Sequence, residues 1–207
     1  MTRKPLLSEK MKAKIAAMDP KKAGAIRKVL NATQSYSPEV IDVAYDCFQY
    51  QANDEGQLTR EKVQSLMKEC GVRDGKVLDR LCRAWECDFV KFMITLERAK
   101  YTDKYGFMFD TFDLNGDGFF GVEELFLILK SGAEFQKEEY VEEKIMADAE
   151  ELFARLKNNC GYISRDDFIG SFSESAFSRR PSIDSLGISI NSDIFHDFGM
   201  KFLVRAE

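Results

Sequence analysis

Between Val40 and Phe172 apolar residues recur three and four positions apart, and polar, glycine-bearing stretches interrupt them at intervals. Ser37-Pro38-Glu39 reads as a helix start, with Ser37 as N-cap, Pro38 where its missing N–H costs nothing, and Glu39 at the positive end of the dipole. Val40, Val43, Ala44, Cys47 and Phe48 then share a helical face, a break falls around Gly56, and Val63, Leu66 and Met67 resume the pattern. The unit repeats. Leu78, Leu81 and Cys82 precede Trp85 to Asp88, and Phe89, Phe92, Met93 and Leu96 follow. Tyr105, Phe109 and Phe112 precede a Gly-rich acidic stretch, and Leu125, Ile128 and Leu129 follow. Ala149, Leu152, Phe153 and Leu156 precede Gly161, and Phe168 and Phe172 follow. Four helix–loop–helix units in two pairs are predicted, an all-α fold of two lobes at 37–100 and 101–172, with very short β-bridges between paired loops. An insertion is expected around Gly132 to Tyr140.

Charge changes the picture at the ends. Residues 1–36 carry nine Lys/Arg against Glu9 and Asp19, a sum of +7; residues 37–172 hold 17 basic and 28 acidic residues, or −11; residues 173–207 sum to −1. The first segment therefore reads as a basic arm, solvated or docking on an acidic protein surface. Nucleic acid is not an expected partner, because the arm has no aromatic before Tyr36 and the acidic body repels phosphate. Residues 173–207 read as a Ser-rich linker, with Arg179 and Arg180 before Ser182 resembling a basophilic kinase site, followed by an amphipathic segment. In that segment Ile194, Phe195, Phe198, Phe202 and Leu203 gather on one helical face, and residues 194–203 are expected to fold back into the groove of the second lobe.

Of 207 residues, 44% are hydrophobic and 31% charged, and no apolar run reaches the roughly 18 residues of a membrane span. Met-Thr-Arg-Lys lacks the apolar core of a secretion signal, so the expected compartment is the cytoplasm. Cys47, Cys70, Cys82, Cys87 and Cys160 have no paired metal-ligand spacing and fit reduced thiols; a Cys82–Cys87 redox pair is the less favoured reading. With His196 the one histidine and no nucleotide-binding glycine motif, no catalytic or cofactor-binding residues are assigned and an enzyme is not expected.

Residues 113–124, DLNGDGFFGVEE, match D-x-[DN]-x-[DN]-G-x5-E in full. Ca²⁺ takes six to eight oxygens in a flexible shell, and this spacing offers them: Asp113, Asn115 and Asp117 by side chain, Phe119 by its carbonyl, and Glu124 with two oxygens. Gly118 permits the sharp bend, and Phe120 at the eighth position is expected to bridge to the partner loop. Gly121, at the ninth, has no side chain to hold a ligand or its water. The other loops fail at their ends. The first has Gln51 and Lys62 where carboxylates belong, the second has Lys91 at the twelfth position and Trp85 at the glycine position, and the fourth begins with Leu156. One ion per chain is expected.

On these residues, and above all on FDLNGDGFFGVEELFLILKSG, the chain from Val40 to Phe172 resembles the EF-hand superfamily, in particular four-hand proteins of the calcineurin B, neuronal calcium sensor and calaxin type. The surroundings, KYGFMFDTFDLNGDG with a long fourth-hand connection and a C-terminal extension, look most like the calaxin group of ciliary outer-arm dynein sensors, which retain more working loops than this chain. The resemblance implies a Ca²⁺ sensor or adaptor that clasps a helix of a larger protein, in a cilium, flagellum or cytoskeleton. The alternative is a constitutive structural subunit of a cytoskeletal or axonemal assembly in which Ca²⁺ is not regulatory. Met67, Met93, Met108, Trp85, Phe89, Phe92 and Phe126 are expected to supply soft apolar surface for the target.

Overall fold

The computed structural model describes residues 9–70, 72–136 and 139–171. The Ser-rich stretch with Ser182 and the 194–203 segment lie outside the described residues. The order is α1 (Glu9–Ala16), α2 (Pro20–Ala32), α3 (Pro38–Gln51), α4 (Arg60–Glu69), α5 (Gly75–Trp85), α6 (Phe89–Glu97), a π turn (Arg98–Thr102), α7 (Lys104–Phe112), β1 (Phe119–Phe120), α8 (Val122–Gln136), α9 (Glu142–Leu156), β2 (Ile163–Ser164) and α10 (Arg165–Ser171). The fold is mostly helical, as expected, and β1 and β2 form a two-stranded antiparallel sheet pairing Phe120 with Ile163. A single antiparallel bridge joins Gln57 to Asp88. Among the described residues no helix is long and apolar enough to cross a membrane.

Helix starts follow from capping chemistry. The Ser37 hydroxyl accepts from the Val40 N–H, and Asp19, Thr59, Asp74 and Asp88 cap α2, α4, α5 and α6 in the same way. The insertion foreseen at 132–140 falls at the end of α8, which runs on to Gln136, and in the connection to α9. The second unit departs from expectation: α5 continues through Trp85, so only Glu86, Cys87 and Asp88 separate it from α6. A twelve-residue loop is absent there because Leu81, Cys82 and Trp85 stay buried on a continuous helical face.

The basic arm is where the structure departs furthest from the sequence reading. Residues 9–32 form two helices whose apolar sides enter the core: Ile15, Ala23, Ile26 and Val29 are buried, and α2 packs on α3 and α6. Part of their charge is used within the chain. Lys22 pairs with Asp42 at 2.7 Å and Asp46 at 2.6 Å, and Lys14 with Asp42 at 2.9 Å, which holds the Asp42 carboxyl below the ordinary aspartate value. The turn after α2 is fastened by the buried Glu97 carboxylate, which accepts from the Gln34 N–H at 2.7 Å and the Ser35 hydroxyl at 3.1 Å.

One hydrophobic cluster runs from Ile15 to Phe168. Trp85 touches Phe92 on its own side and Phe107 of α7 on the other, with ring centres 5.4 and 6.0 Å apart. Met67, Met93, Met108, Trp85, Phe89 and Phe92 are all buried in this cluster, so the soft apolar surface expected for a target is core in this state, with Phe126 only partly covered. Cys47, Cys70, Cys82 and Cys87 are buried too, and burial pushes the Cys87 thiol up to about 12, which is the opposite of a reactive redox pair; Cys160 is exposed.

Four charges tie the start of α7 to α10. Arg98 pairs with Asp103 (2.8 Å) and with Asp110, and Arg165 pairs with Asp103 (2.7 Å) and Asp110 (3.1 Å). Gly106 leaves the space for this cluster, since a Cβ there would collide with Arg165 Nη2 and Asp103 Oδ1. Gly106→Ala is therefore expected to cost about 1 kcal/mol, at the low end of overpacking penalties because flexible side-chain ends can yield. Denaturant unfolding measures it, and an unchanged or raised midpoint would show that the cluster is not packed this closely.

Candidate functional site

The loop at 113–124 begins where α7 ends. Asp113 follows the last helical residue, is 8% exposed, and turns both carboxylate oxygens inward: Oδ1 accepts from the Gly116 N–H at 2.9 Å and Oδ2 from the Gly118 N–H at 3.0 Å. Asn115 Oδ1 accepts from the Asp117 N–H at 2.9 Å, and Asp117 Oδ1 from the Phe119 N–H at 2.8 Å. Each acceptor oxygen has a second lone pair, so these bonds orient the oxygens without exhausting them. Gly118 sits at φ +82, and Gly56 and Gly161 take +77 and +85, so the three glycines aligned by sequence make the same left-handed bend. The loop is fixed from below by packing: Phe120 stacks on Phe109 at 4.1 Å and meets Phe168 at 5.1 Å.

Asn115, Asp117 and Glu124 line one cavity of about 450 Å³, bordered by Phe119, Phe153 and Tyr162. Asp113 is not among its lining residues. Among the described residues no three Asp, Glu, His or Cys side chains stand together as a ready-made metal cluster. The donors are instead interleaved with an amide and a main-chain carbonyl, and Glu124 Oε2 is turned onto the Gly121 N–H at 3.0 Å. This chemistry suits a hard cation, since every candidate donor is an oxygen and three of the side chains are carboxylates. Arg80 of α5 reaches the loop from outside it, and its Nη2 donates to the Asp113 carbonyl rather than to a carboxylate.

The bond between Glu124 and Gly121 is half of a capping box, in which the third helical residue reaches back to the N-cap N–H. The other exit helices show the missing half. Thr59 accepts from the Lys62 N–H, Asp88 from the Lys91 N–H and Ser164 from the Asp167 N–H. The ninth loop residue is thus the helix cap everywhere except at Gly121, which has no side chain to cap with.

The fourth loop closes on itself. Asp167 Oδ2 accepts from the Ser164 hydroxyl (2.7 Å), the Ser164 N–H (3.2 Å) and Asn158 Nδ2 (3.0 Å). In the first loop Asn53 Oδ1 accepts from the Glu55 and Gln57 N–H groups. The Ser164 hydroxyl and N–H, then Asn158, hold the Asp167 carboxyl below the ordinary aspartate value. A depressed folded value means stabilisation present above the unfolded value and lost as pH falls through the folded one. Asp167→Asn is accordingly expected to flatten the acid limb of the thermal-stability profile while leaving neutral behaviour nearer to wild type. An acid limb as steep as wild type would remove Asp167 from that role.

All five residues assigned by motif, Asp113, Asn115, Asp117, Phe119 and Glu124, fall in this one loop, with Glu124 on the first turn of α8. Arg80 was not foreseen. It lies 33 residues from Asp113, and no local spacing signals that contact. No protein-family model matches the chain, and no curated protein matches it.

Proposed function

We propose that residues 113–124 bind one Ca²⁺ and that the chain is an EF-hand-type sensor or adaptor for a helical segment of a protein target. The observation that carries this reading is the complete ligand motif folded into a tight loop whose Asp113, Asn115 and Asp117 oxygens are already oriented by loop amides. Asp113, Asn115, Asp117, the Phe119 carbonyl and Glu124 would hold the ion, which supplies charge neutralisation and no bond-making chemistry. Glu124 carries the coupling: to serve the ion it must share or leave the Gly121 N–H, so the residue that caps α8 is the one through which occupancy would reach the helix. Placement in a ciliary or cytoskeletal assembly, including one with dynein, rests on family resemblance, and a non-enzymatic role rests on the single histidine and the lack of a nucleotide-binding glycine motif in the sequence.

A second reading, a constitutive structural subunit, is favoured by a different observation. The soft apolar residues are buried and the fourth loop is closed by its own hydrogen bonds, so little of the fold calls for an ion. Calorimetric titration of the full chain with Ca²⁺, paired with an apolar dye, separates the two. One micromolar site with increased dye binding supports the sensor, unchanged dye on Ca²⁺ addition supports the structural subunit, and no Ca²⁺ binding overturns the sensor.

A further inference from the structure

One face of α5 and the Leu114 turn line a second, open cavity of about 320 Å³, formed by Gly75, Lys76, Asp79, Arg80, Arg83 and Leu114. Three cations face it against one carboxylate, within a segment, 37–172, whose sum is −11, so the local sign is the reverse of the surroundings. The carboxylate is already engaged, because Asp79 pairs with Arg83 at 2.9 Å and with Arg60. Lys76 is exposed, and its ammonium pairs with no carboxylate among the described residues. Arg80 is held by its Nη2 bond to the Asp113 carbonyl, while its Nε is buried with no hydrogen-bond partner among the described residues. The N-terminus of α5 does not supply the site, since Asp74 takes the Lys76 and Val77 N–H groups.

We propose that this cavity binds a phosphate monoester or free phosphate. A fixed guanidinium presents several donors in one plane, which matches phosphate oxygens. The net lining charge of +2 matches the −1.5 to −2 that phosphate carries near neutral pH, whereas a single carboxylate would leave a cation unpaired. Lys76 adds a point charge at the mouth. The site borders the 113–124 loop through Arg80 and Leu114, and its test contains no divalent cation, so its outcome does not depend on Ca²⁺ binding.

The full chain, labelled with ¹⁵N at constant ionic strength in chloride, is titrated with inorganic phosphate. Parallel titrations use a phosphoserine heptapeptide of otherwise Gly and Ala residues and its unphosphorylated form. Saturable shifts at the amides of Lys76, Asp79, Arg80 and Leu114 are expected, and Lys76→Glu should weaken them at least tenfold without altering the melting curve. Tighter binding of the phosphopeptide than of phosphate assigns the site to a phosphorylated protein, and equal or weaker binding assigns it to the free ion. Saturation by neither probe, or equal affinity in Lys76→Glu and Arg83→Gln, overturns the proposal.

Discussion

Replacing Glu124 by Gln is expected to weaken Ca²⁺ binding by about an order of magnitude or more, a loss of at least roughly 1.4 kcal/mol of binding free energy. The change removes one carboxylate charge and the two-oxygen closure of the shell. It spares the fold, because a Gln carbonyl can still accept from the Gly121 N–H as Glu124 Oε2 does at 3.0 Å. Calorimetry should give one ion per chain in the unaltered protein and a melting temperature in Glu124→Gln close to it. Two or more tight sites would sink the reading of the other loops as non-binding, and an unaltered affinity would remove Glu124 from the ligand set.

Ile26→Ala is expected to destabilise the protein by about 2–5 kcal/mol, the range for emptying a fully buried aliphatic position. Ile26 has no exposed surface, and with Ala23 and Val29 it forms the side of α2 set against α3 and α6. Lys28→Ala, on the exposed side of the same helix, should fall within about 0.5 kcal/mol of wild type. Urea unfolding reads both. If the two variants lose the same small amount, α2 is a loosely attached arm after all.

The helix starts and the 113–124 loop were legible because their signals are local. Ser37 and Pro38 sit where α3 begins, and the Gly56, Gly118 and Gly161 positions share one backbone bend. The role of α2 was not, because lysines at 21, 22 and 28 stand out in its sequence while its buried residues are just Ala23, Ile26 and Val29. Charge named a solvated or docking arm; spacing on that face was the overlooked signal. Counting methionines and phenylalanines gave apolar area without its location, and the area proved to be interior. Arg80 with Asp113, and Arg165 with Asp103 and Asp110, join residues 33 to 62 positions apart, where sequence periodicity has no reach.

The division of capping between ninth and twelfth loop residues sets how freely each loop can change. Thr59 and Asp88 hold their exit helices with side chains of their own, so the twelfth positions are under no such demand and carry Lys62 and Lys91 at no cost to the helix start. Gly121 offers no substitute, so a residue at 124 that cannot accept a hydrogen bond would fray α8 and take a donor from the proposed Ca²⁺ site together. Position 124 thus answers to two requirements at once, and a lysine there would be a worse exchange than at either of the loops that already have one.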